Sequence, residues 1–274
     1  MNNEIATLKE LQEIVLIRDE YCQTGDGDRM DEFNDKIEKL KAKLGPQART
    51  IFDRLYKRNH VAVAGLANNC CAACGMTVPV ANVQMVRMGE RIVCCASCGR
   101  ILYAADGESV SNIKGKVDQE GKVGLERFSN DTLVIAGLRS TDRAEAIAEL
   151  AVLLEDNKCI DSSDNVVAAA MAREDILSTA TDNDVAFPHV RGVEGGGLTI
   201  AVGTSKKGIK WGDLTVHIVF LAMIPVAVSA YYLRFMSAVT RSLSKESVRE
   251  LIINAKDNAT LWRLVQKHTR TELK

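Results

Sequence analysis

The stretch REDILSTATDNDVAFPHVR, residues 173–191, decides how the second half of the chain is read. Its apolar run Val185 to Phe187 reads as a short strand, and Pro188 stops it. Proline fixes φ and has no N–H, so it cannot continue a central ladder; His189 is therefore expected at a strand-to-loop exit. Such exits are where α/β folds present chemistry. Upstream, Arg173 and Glu174 stand at a helix end. Ser178 and Thr179 follow as small polar residues able to bind an oxyanion, and Arg191 adds a cation two residues beyond the histidine.

Outward from this stretch the pattern alternates between strands and helices. Thr132 to Ala136 reads as a strand. Thr141 or Asp142 caps a helix whose Ile147, Leu150, Ala151 and Leu154 share one face. A second helix starts after Ser162 and Ser163 and runs to Arg173 and Glu174. Strands are expected at 185–187, 198–203 and 215–223, then two helices, one over 230–243 and one from 246 with its last turns near 261–266. Alternation of this kind implies a layered α/β domain. The run from Leu214 to Ala230 is the longest apolar one, but His217 and Pro225 interrupt it. It reads as a buried strand and loop, not a membrane span.

The first 60 residues read differently. Ile5, Leu8, Leu11 and Val15 recur at helical spacing, and the stretch Thr24 to Asp28 breaks the pattern. Met30, Phe33, Ile37, Leu40 and Leu44 then alternate as coiled-coil seams do. Gly45 and Pro46 stop that helix, and a third carries Ile51, Phe52, Leu55 and Tyr56. An antiparallel, coiled-coil-like hairpin with a short third helix is expected. It serves either as a dimerisation or docking element or as local packing.

Six of the eight cysteines fall between Cys70 and Cys98, as CCAACG (70–75) and CCASCG (94–99). Such a cluster in a chain without a secretory leader points to metal. Each half allows two registers. A glycine just after the second thiolate, where backbone N–H groups turn toward sulfur, selects Cys71, Cys74, Cys95 and Cys98 as ligands. Four thiolates suit a closed, structural Zn²⁺ site, with a redox pair or an iron–sulfur site as the alternative. Cys70 and Cys94 are left over. The segment from Gly65 to Tyr103, with the preceding helix ARTIFDRLYKR, resembles the four-cysteine zinc ribbon that follows coiled-coil hairpins in a family of bacterial proteins. That resemblance spans roughly residues 48–105 and implies a nucleic-acid-binding or protein-binding module. Arg87, Arg91 and Arg100 with few aromatics make a thin nucleic-acid surface, so protein binding is favoured.

Residues 173–191 resemble the active-site signature of type-2 enzyme IIA domains of the sugar phosphotransferase system, the mannitol, fructose and nitrogen-related class. TDRAEAIAELAVLLEDNKCID, GLTIAVGTSKKGIKW, LTVHIVFLAMIP and YYLRFMSAVTRSL follow in family order, so the resemblance covers about 127–270. It implies that the carrier HPr passes a phosphoryl group to His189. The group then goes to a IIB-type acceptor, or its presence regulates a partner. Arg173 is the matching cation, and Thr179 is a candidate hydroxyl donor. The sequence departs from the family in two places. Ala180 to Asp184 replace glycines, which makes that loop more acidic. Tyr232-Leu233 stands where many members carry histidine and leucine, and tyrosine can donate a hydrogen bond but cannot become cationic.

The expected architecture is a multidomain α/β chain: a helical hairpin over 1–60, a small β zinc ribbon over 61–105, a linker over 106–126 and an enzyme IIA-like layered domain over 127–274. A net charge of −1, with 46% hydrophobic and 26% charged residues, is an ordinary globular balance. It gives no basic excess for nucleic acid. The charged N-terminus lacks a signal-peptide core, so a cytoplasmic protein is expected. A homodimer through the N-terminal helices fits the hairpin. The competing reading is a scaffold in which ribbon and hairpin bind a partner and the IIA-like domain is a switch that no longer relays. His217 is expected as a core histidine, His60 and His268 as exposed ones, and Gly195-Gly196-Gly197 as a hairpin turn because no Gly-Lys-Ser/Thr follows.

Overall fold

The structure is a computed structural model. It describes residues 2–24, 30–67, 69–74, 76–89, 91–104, 124–193, 198–225 and 229–270. Most of the expected 106–126 linker, the Gly195-Gly196-Gly197 turn and the residues after Thr24 in the first helix break lie outside these. Contacts divide the chain into two compact units: Met1–Ser109 with Val226–Leu233, and Val110–Pro225 with Arg234–Lys274.

In the first unit, α1 (Asn2–Thr24), α2 (Met30–Ala42) and α3 (Pro46–Asn59) precede the cysteine-rich region. Leu8, Leu11 and Val15 are buried on α1, as are Phe33, Ile37 and Leu40 on α2. Tyr21 and Phe33 meet edge to face at 5.6 Å across α1 and α2. Proline at the first turn of α3 supplies a fixed φ where an N–H would be unpaired anyway. The helix ends at His60 in the left-handed region, φ 54°, whose N–H returns to the Tyr56 carbonyl. Gln12 ties α1 to the sheet that follows. Its side-chain oxygen accepts the N–H groups of Ala62 and Val63, both at 2.7 Å, and its Nε2 donates to the Val63 carbonyl at 3.0 Å.

That sheet has the order β2-β1-β4-β3, with β1 (Val63–Ala67) parallel to β4 (Ile101–Ala104) and the two-residue strands β2 (Cys70–Cys71) and β3 (Val93–Cys94) antiparallel at its edges. A helix not anticipated from sequence, α4 (Val80–Met88), lies between the two cysteine pairs. Val83 and Val86 bury its inner face, and Gly89 at φ 64° ends it.

The second unit is built on a five-stranded sheet, with β5 (Val134–Ala136), β8 (Thr199–Trp211), β9 (Leu214–Pro225) and β6 (Val185–Ala186) in that order, and β7 (His189–Val193) also on β9. Both β6 and β7 run parallel to β9. Ala186 pairs with Val219 and His189 with Ala222, an unchanged register. They are one strand interrupted at Phe187-Pro188. The proline gives no N–H, but its carbonyl accepts from Ala222 N at 3.0 Å. This corrects the expected strand-to-loop exit: His189 opens a strand. Strand β8 also runs well past the expected 198–203. An irregularity between Thr204 and Ile209 lets it continue, with Gly208 at φ 81° where a Cβ would stand 2.5 Å from Thr215.

Helices α5 (Arg143–Asp156) and α6 (Ser163–Ile176) cover one sheet face. Ile147, Leu150, Leu154, Val166 and Ala170 form one core with Trp211, Val219, Leu221 and Met223. Asp142, not Thr141, caps α5, accepting from Glu145 N; Ser162 caps α6. On the other face Phe187 stacks on Phe220 at 5.5 Å, and Phe235 of α7 (Ser229–Ser242) meets Phe220 and Phe128 edge-on. Burial on both faces explains the apolar run of β9. The segment from 246 holds two helices rather than one, α8 (Glu246–Ile253) and α9 (Asn258–Thr269). Asp257 starts a new cap by accepting from Thr260 N at 2.7 Å.

Candidate functional site

His189 is fully buried. Its Nδ1 lies 3.0 Å from the Phe187 carbonyl oxygen. A carbonyl only accepts, so in the neutral ring Nδ1 carries the hydrogen and Nε2 carries the lone pair. The contact spans i to i+2 across Pro188, which offers no N–H of its own to the Phe187 carbonyl.

Phe187 is held in turn. Its N–H donates to the Thr179 hydroxyl oxygen at 3.2 Å and lies 3.4 Å from the Thr179 carbonyl. The Thr179 hydroxyl donates to Glu174. This corrects the expectation that Thr179 offers its hydroxyl to a phosphoryl oxygen, because that hydrogen is committed to a carboxylate. Glu174 also takes the Thr179 N–H at 3.0 Å and the Trp211 indole N–H at 2.8 Å. Sequence reasoning missed Trp211 and the hydrogen bonds that gather on Glu174. A tryptophan ending an apolar strand gave no sign that its N–H would meet a carboxylate 37 residues upstream.

Arg173, mostly buried beside Glu174, donates through Nη1 to the Leu177 carbonyl at 2.8 Å and so closes the α6 C-terminus. Arg191 lies half-buried in β7. Tyr232 is fully buried in α7. The 180–184 loop is closed by Thr181, whose N–H and hydroxyl both reach the Val185 carbonyl, at 2.8 and 3.0 Å. Asp184 takes φ 61°, the conformation glycine adopts most easily. Its carbonyl accepts the N–H groups of His217 and Ile218, and its carboxylate lies 3.4 Å from Arg249. His217 is half-buried and its Nδ1 meets the Ser205 carbonyl at 2.8 Å. His268 is half-buried rather than exposed, and burial lowers its pKa.

In the first unit, the sulfurs of Cys71, Cys74, Cys95 and Cys98 all lie within 4.8 Å of one another and could hold a metal ion. The pairs Cys71–Cys98 and Cys74–Cys95 are each 3.7 Å apart. Gly99 at φ 76° sends its N–H back to the Cys95 carbonyl at 2.8 Å, forming the second knuckle; Gly75 of the first lies outside the described residues. Cys70 and Cys94 stand outside the group. Burial pushes the Cys71 and Cys74 thiols up. Burial also acts to raise Cys98, but the N–H and side chain of Arg100 and the neighbouring thiols outweigh it and bring Cys98 down to about 7.

Residues 127–268, just over half of the chain, match the model of the family described as phosphoenolpyruvate-dependent sugar phosphotransferase system, EIIA 2. The chain is similar to the fructose-specific EIIA component of Haloferax volcanii, 29% identical over 119 residues, covering 42% of this chain and 77% of that protein. It is also similar to the fructose-specific EIIABC component of Bacillus subtilis, 21% identical over 136 residues, covering 48% of this chain and 21% of that much longer relative. Among solved structures, the nitrogen regulatory protein IIA-Ntr from Neisseria meningitidis aligns with 50% of this chain and 96% of its own, at 19% identity and a TM-score of 0.46.

Proposed function

The chain belongs to the phosphoenolpyruvate-dependent sugar phosphotransferase system EIIA 2 family, and from that membership we propose that it relays or senses a phosphoryl group on Nε2 of His189. The hydrogen bond from Nδ1 to the Phe187 carbonyl carries this reading, because it leaves the Nε2 lone pair as the nucleophile. In the transfer, Nε2 forms a bond to phosphorus while the donor's bond to phosphorus breaks and its electron pair returns to the donor. An HPr-like carrier is the proposed donor and a IIB-type domain the proposed acceptor. Arg173 is the proposed cation near the phosphoryl oxygens, and Tyr232 the proposed hydrogen-bond donor in place of a second histidine. A nucleotide-free transfer of this kind is mostly positioning and charge stabilisation.

The four-cysteine group is proposed to hold a structural Zn²⁺. A tetrahedral ion with Zn–S of about 2.3 Å sets its sulfurs roughly 3.8 Å apart, which fits the two 3.7 Å pairs. The ribbon would brace the region over 61–105 between the helical hairpin of 1–60 and the linker of 106–126, with the domain of 127–274 carrying the chemistry. No helix among the described residues is long and apolar enough to cross a membrane, and a cytoplasmic site of action is proposed with the carrier.

The test is transfer from labelled phosphoenolpyruvate through enzyme I and HPr to the purified chain, beside His189→Ala. Acid-labile label on the wild type alone supports the relay. One observation favours a second reading, that of a scaffold whose IIA-like domain is a switch: His189 is fully buried and must be uncovered before any carrier reaches it. No label from either HPr or the cognate carrier, on folded protein, would leave that reading standing.

A further inference from the structure

Glu174 is only 2% exposed, yet it lies outside every role assigned above. Its two oxygens take three donors: the Thr179 N–H and the Trp211 indole N–H on Oε2, and the Thr179 hydroxyl on Oε1. A carboxylate only accepts, so all three hydrogens point toward it. The order of donors is then fixed along the whole chain. The Thr179 hydroxyl gives its hydrogen to Glu174, which leaves its oxygen to accept the Phe187 N–H at 3.2 Å, nearer than the Thr179 carbonyl at 3.4 Å. The other side of Phe187, its carbonyl, accepts from His189.

The Phe187 N–H and the Phe187 carbonyl belong to peptide planes that share one Cα, so turning the first re-aims the second. Pro188 adds no N–H that could hold the second plane independently. The Phe187 ring is pinned by its stack on Phe220. The direction of the carbonyl that faces the histidine is therefore set from Thr179, and Thr179 is set from Glu174 and Trp211. Burying a carboxylate is costly unless its oxygens are well met, and here they are met by the two residues it orients.

We propose that Glu174 is a positioning residue for His189: with Trp211 it locks Thr179, Thr179 locks the Phe187 backbone, and the Phe187 carbonyl keeps the hydrogen on Nδ1 so that Nε2 attacks. The proposal rests on the reading of His189 as phosphoryl acceptor. During transfer the N–P bond forms at Nε2, the carrier's bond to phosphorus breaks, and the Nδ1 hydrogen stays in place. The ring gains positive character, and the Phe187 carbonyl dipole meets it. Glu174 touches none of the reacting atoms and acts through Thr179 alone. Outer partners of this kind are worth about 10- to 100-fold in the metal-site histidines where they have been measured.

The experiment uses the full chain with ¹⁵N-labelled histidine, in wild type, Glu174→Gln, Thr179→Val and Thr179→Ser. Ring-nitrogen shifts of unphosphorylated His189 report the tautomer, and transfer from phospho-HPr reports the rate. Wild type and Thr179→Ser are expected with hydrogen on Nδ1. Glu174→Gln and Thr179→Val are expected to show mixed tautomers and transfer slowed by about 10- to 100-fold. A single Nδ1–H tautomer in folded Glu174→Gln and Thr179→Val would overturn the proposal and reduce Glu174 to a partner for Trp211. If Glu174→Gln fails to fold, Thr179→Val, which leaves the carboxylate intact, gives the same reading. Absence of transfer in the wild type would sink the acceptor reading, while the tautomer shifts would still decide the positioning one.

Discussion

Gly203 in β8 lies directly against Leu138: a Cβ at 203 would stand 2.6 Å from Leu138 Cδ1 and 2.9 Å from its Cγ. Leu138 is anchored there because its N–H donates to the Thr204 carbonyl at 2.7 Å. The backbone cannot retreat without breaking the pairing of β8 with β5. Gly203→Ala is expected to destabilise the second unit by about 1–3 kcal/mol, the usual cost of overpacking a filled core. Denaturant unfolding checks this. Leu138→Ala in the Gly203→Ala background should recover part of the loss, since the two side chains compete for one space.

Asp184 occupies a left-handed φ of 61°, the region glycine adopts most easily. Aspartate tolerates that region better than most residues. Asp184→Ala is expected to cost about 1–2 kcal/mol, because it keeps the Cβ strain and loses the facing Arg249. Asp184→Gly relieves the strain and loses the same partner, so it should fall closer to wild type. Equal losses for the two variants would show that the ion pair, not the backbone, fixes Asp184.

Much of this was legible from residue pattern. The helix starts near Asp142 and after Ser162, the hydrophobic faces of α5 and α1, and the burial of β9 are local properties that periodicity and composition carry. What the pattern hid was long-range. In sequence Pro188 marks the end of a strand, because proline stops a ladder by removing a donor. In the fold its carbonyl still accepts from Ala222, and β7 resumes in the same register. Thr179 is a candidate hydroxyl donor by its sequence, where no partner for that hydroxyl is visible. The carboxylate that takes its hydrogen is five residues away on α6. Helix α4 is hard to read because it is nine residues long and buries only Val83 and Val86 of its apolar residues.

The stability of the first unit has a pH dependence of its own. Burial raises the Tyr56 phenol, the hydrogen bond to Asp19 and its charge raise it further, and Arg18 offsets only part of this. Arg18 donates to the phenol oxygen at 3.0 Å, and His60 stacks edge-on against the ring. A raised folded value means that the unfolded tyrosine, titrating near 10, releases its proton first. The associated stability is intact below pH of about 10 and is lost as pH rises toward the folded value. The stability difference between wild type and Tyr56→Phe is therefore expected to hold steady to that pH and then to shrink. Denaturant midpoints at pH 8, 9, 10 and 11 (chosen to bracket the usual tyrosine value) measure it; a difference that grows with pH would contradict the assignment.

One zinc per chain is expected by elemental analysis. Cys71→Ser, Cys74→Ser, Cys95→Ser and Cys98→Ser should each lower that content, while Cys70→Ser and Cys94→Ser should keep it, since only the first four sulfurs share the cluster. Small metal sites of this kind hold their fold through the ion. The strands here are short: β2 and β3 have two residues each and contribute little ladder of their own. Chelation should therefore raise amide exchange across β1 to β4 and α4, and leave β8 and β9, which pair along most of their length, protected. Retention of the metal in Cys98→Ser but loss in Cys94→Ser would move the ligand register to the other cysteine of the second pair.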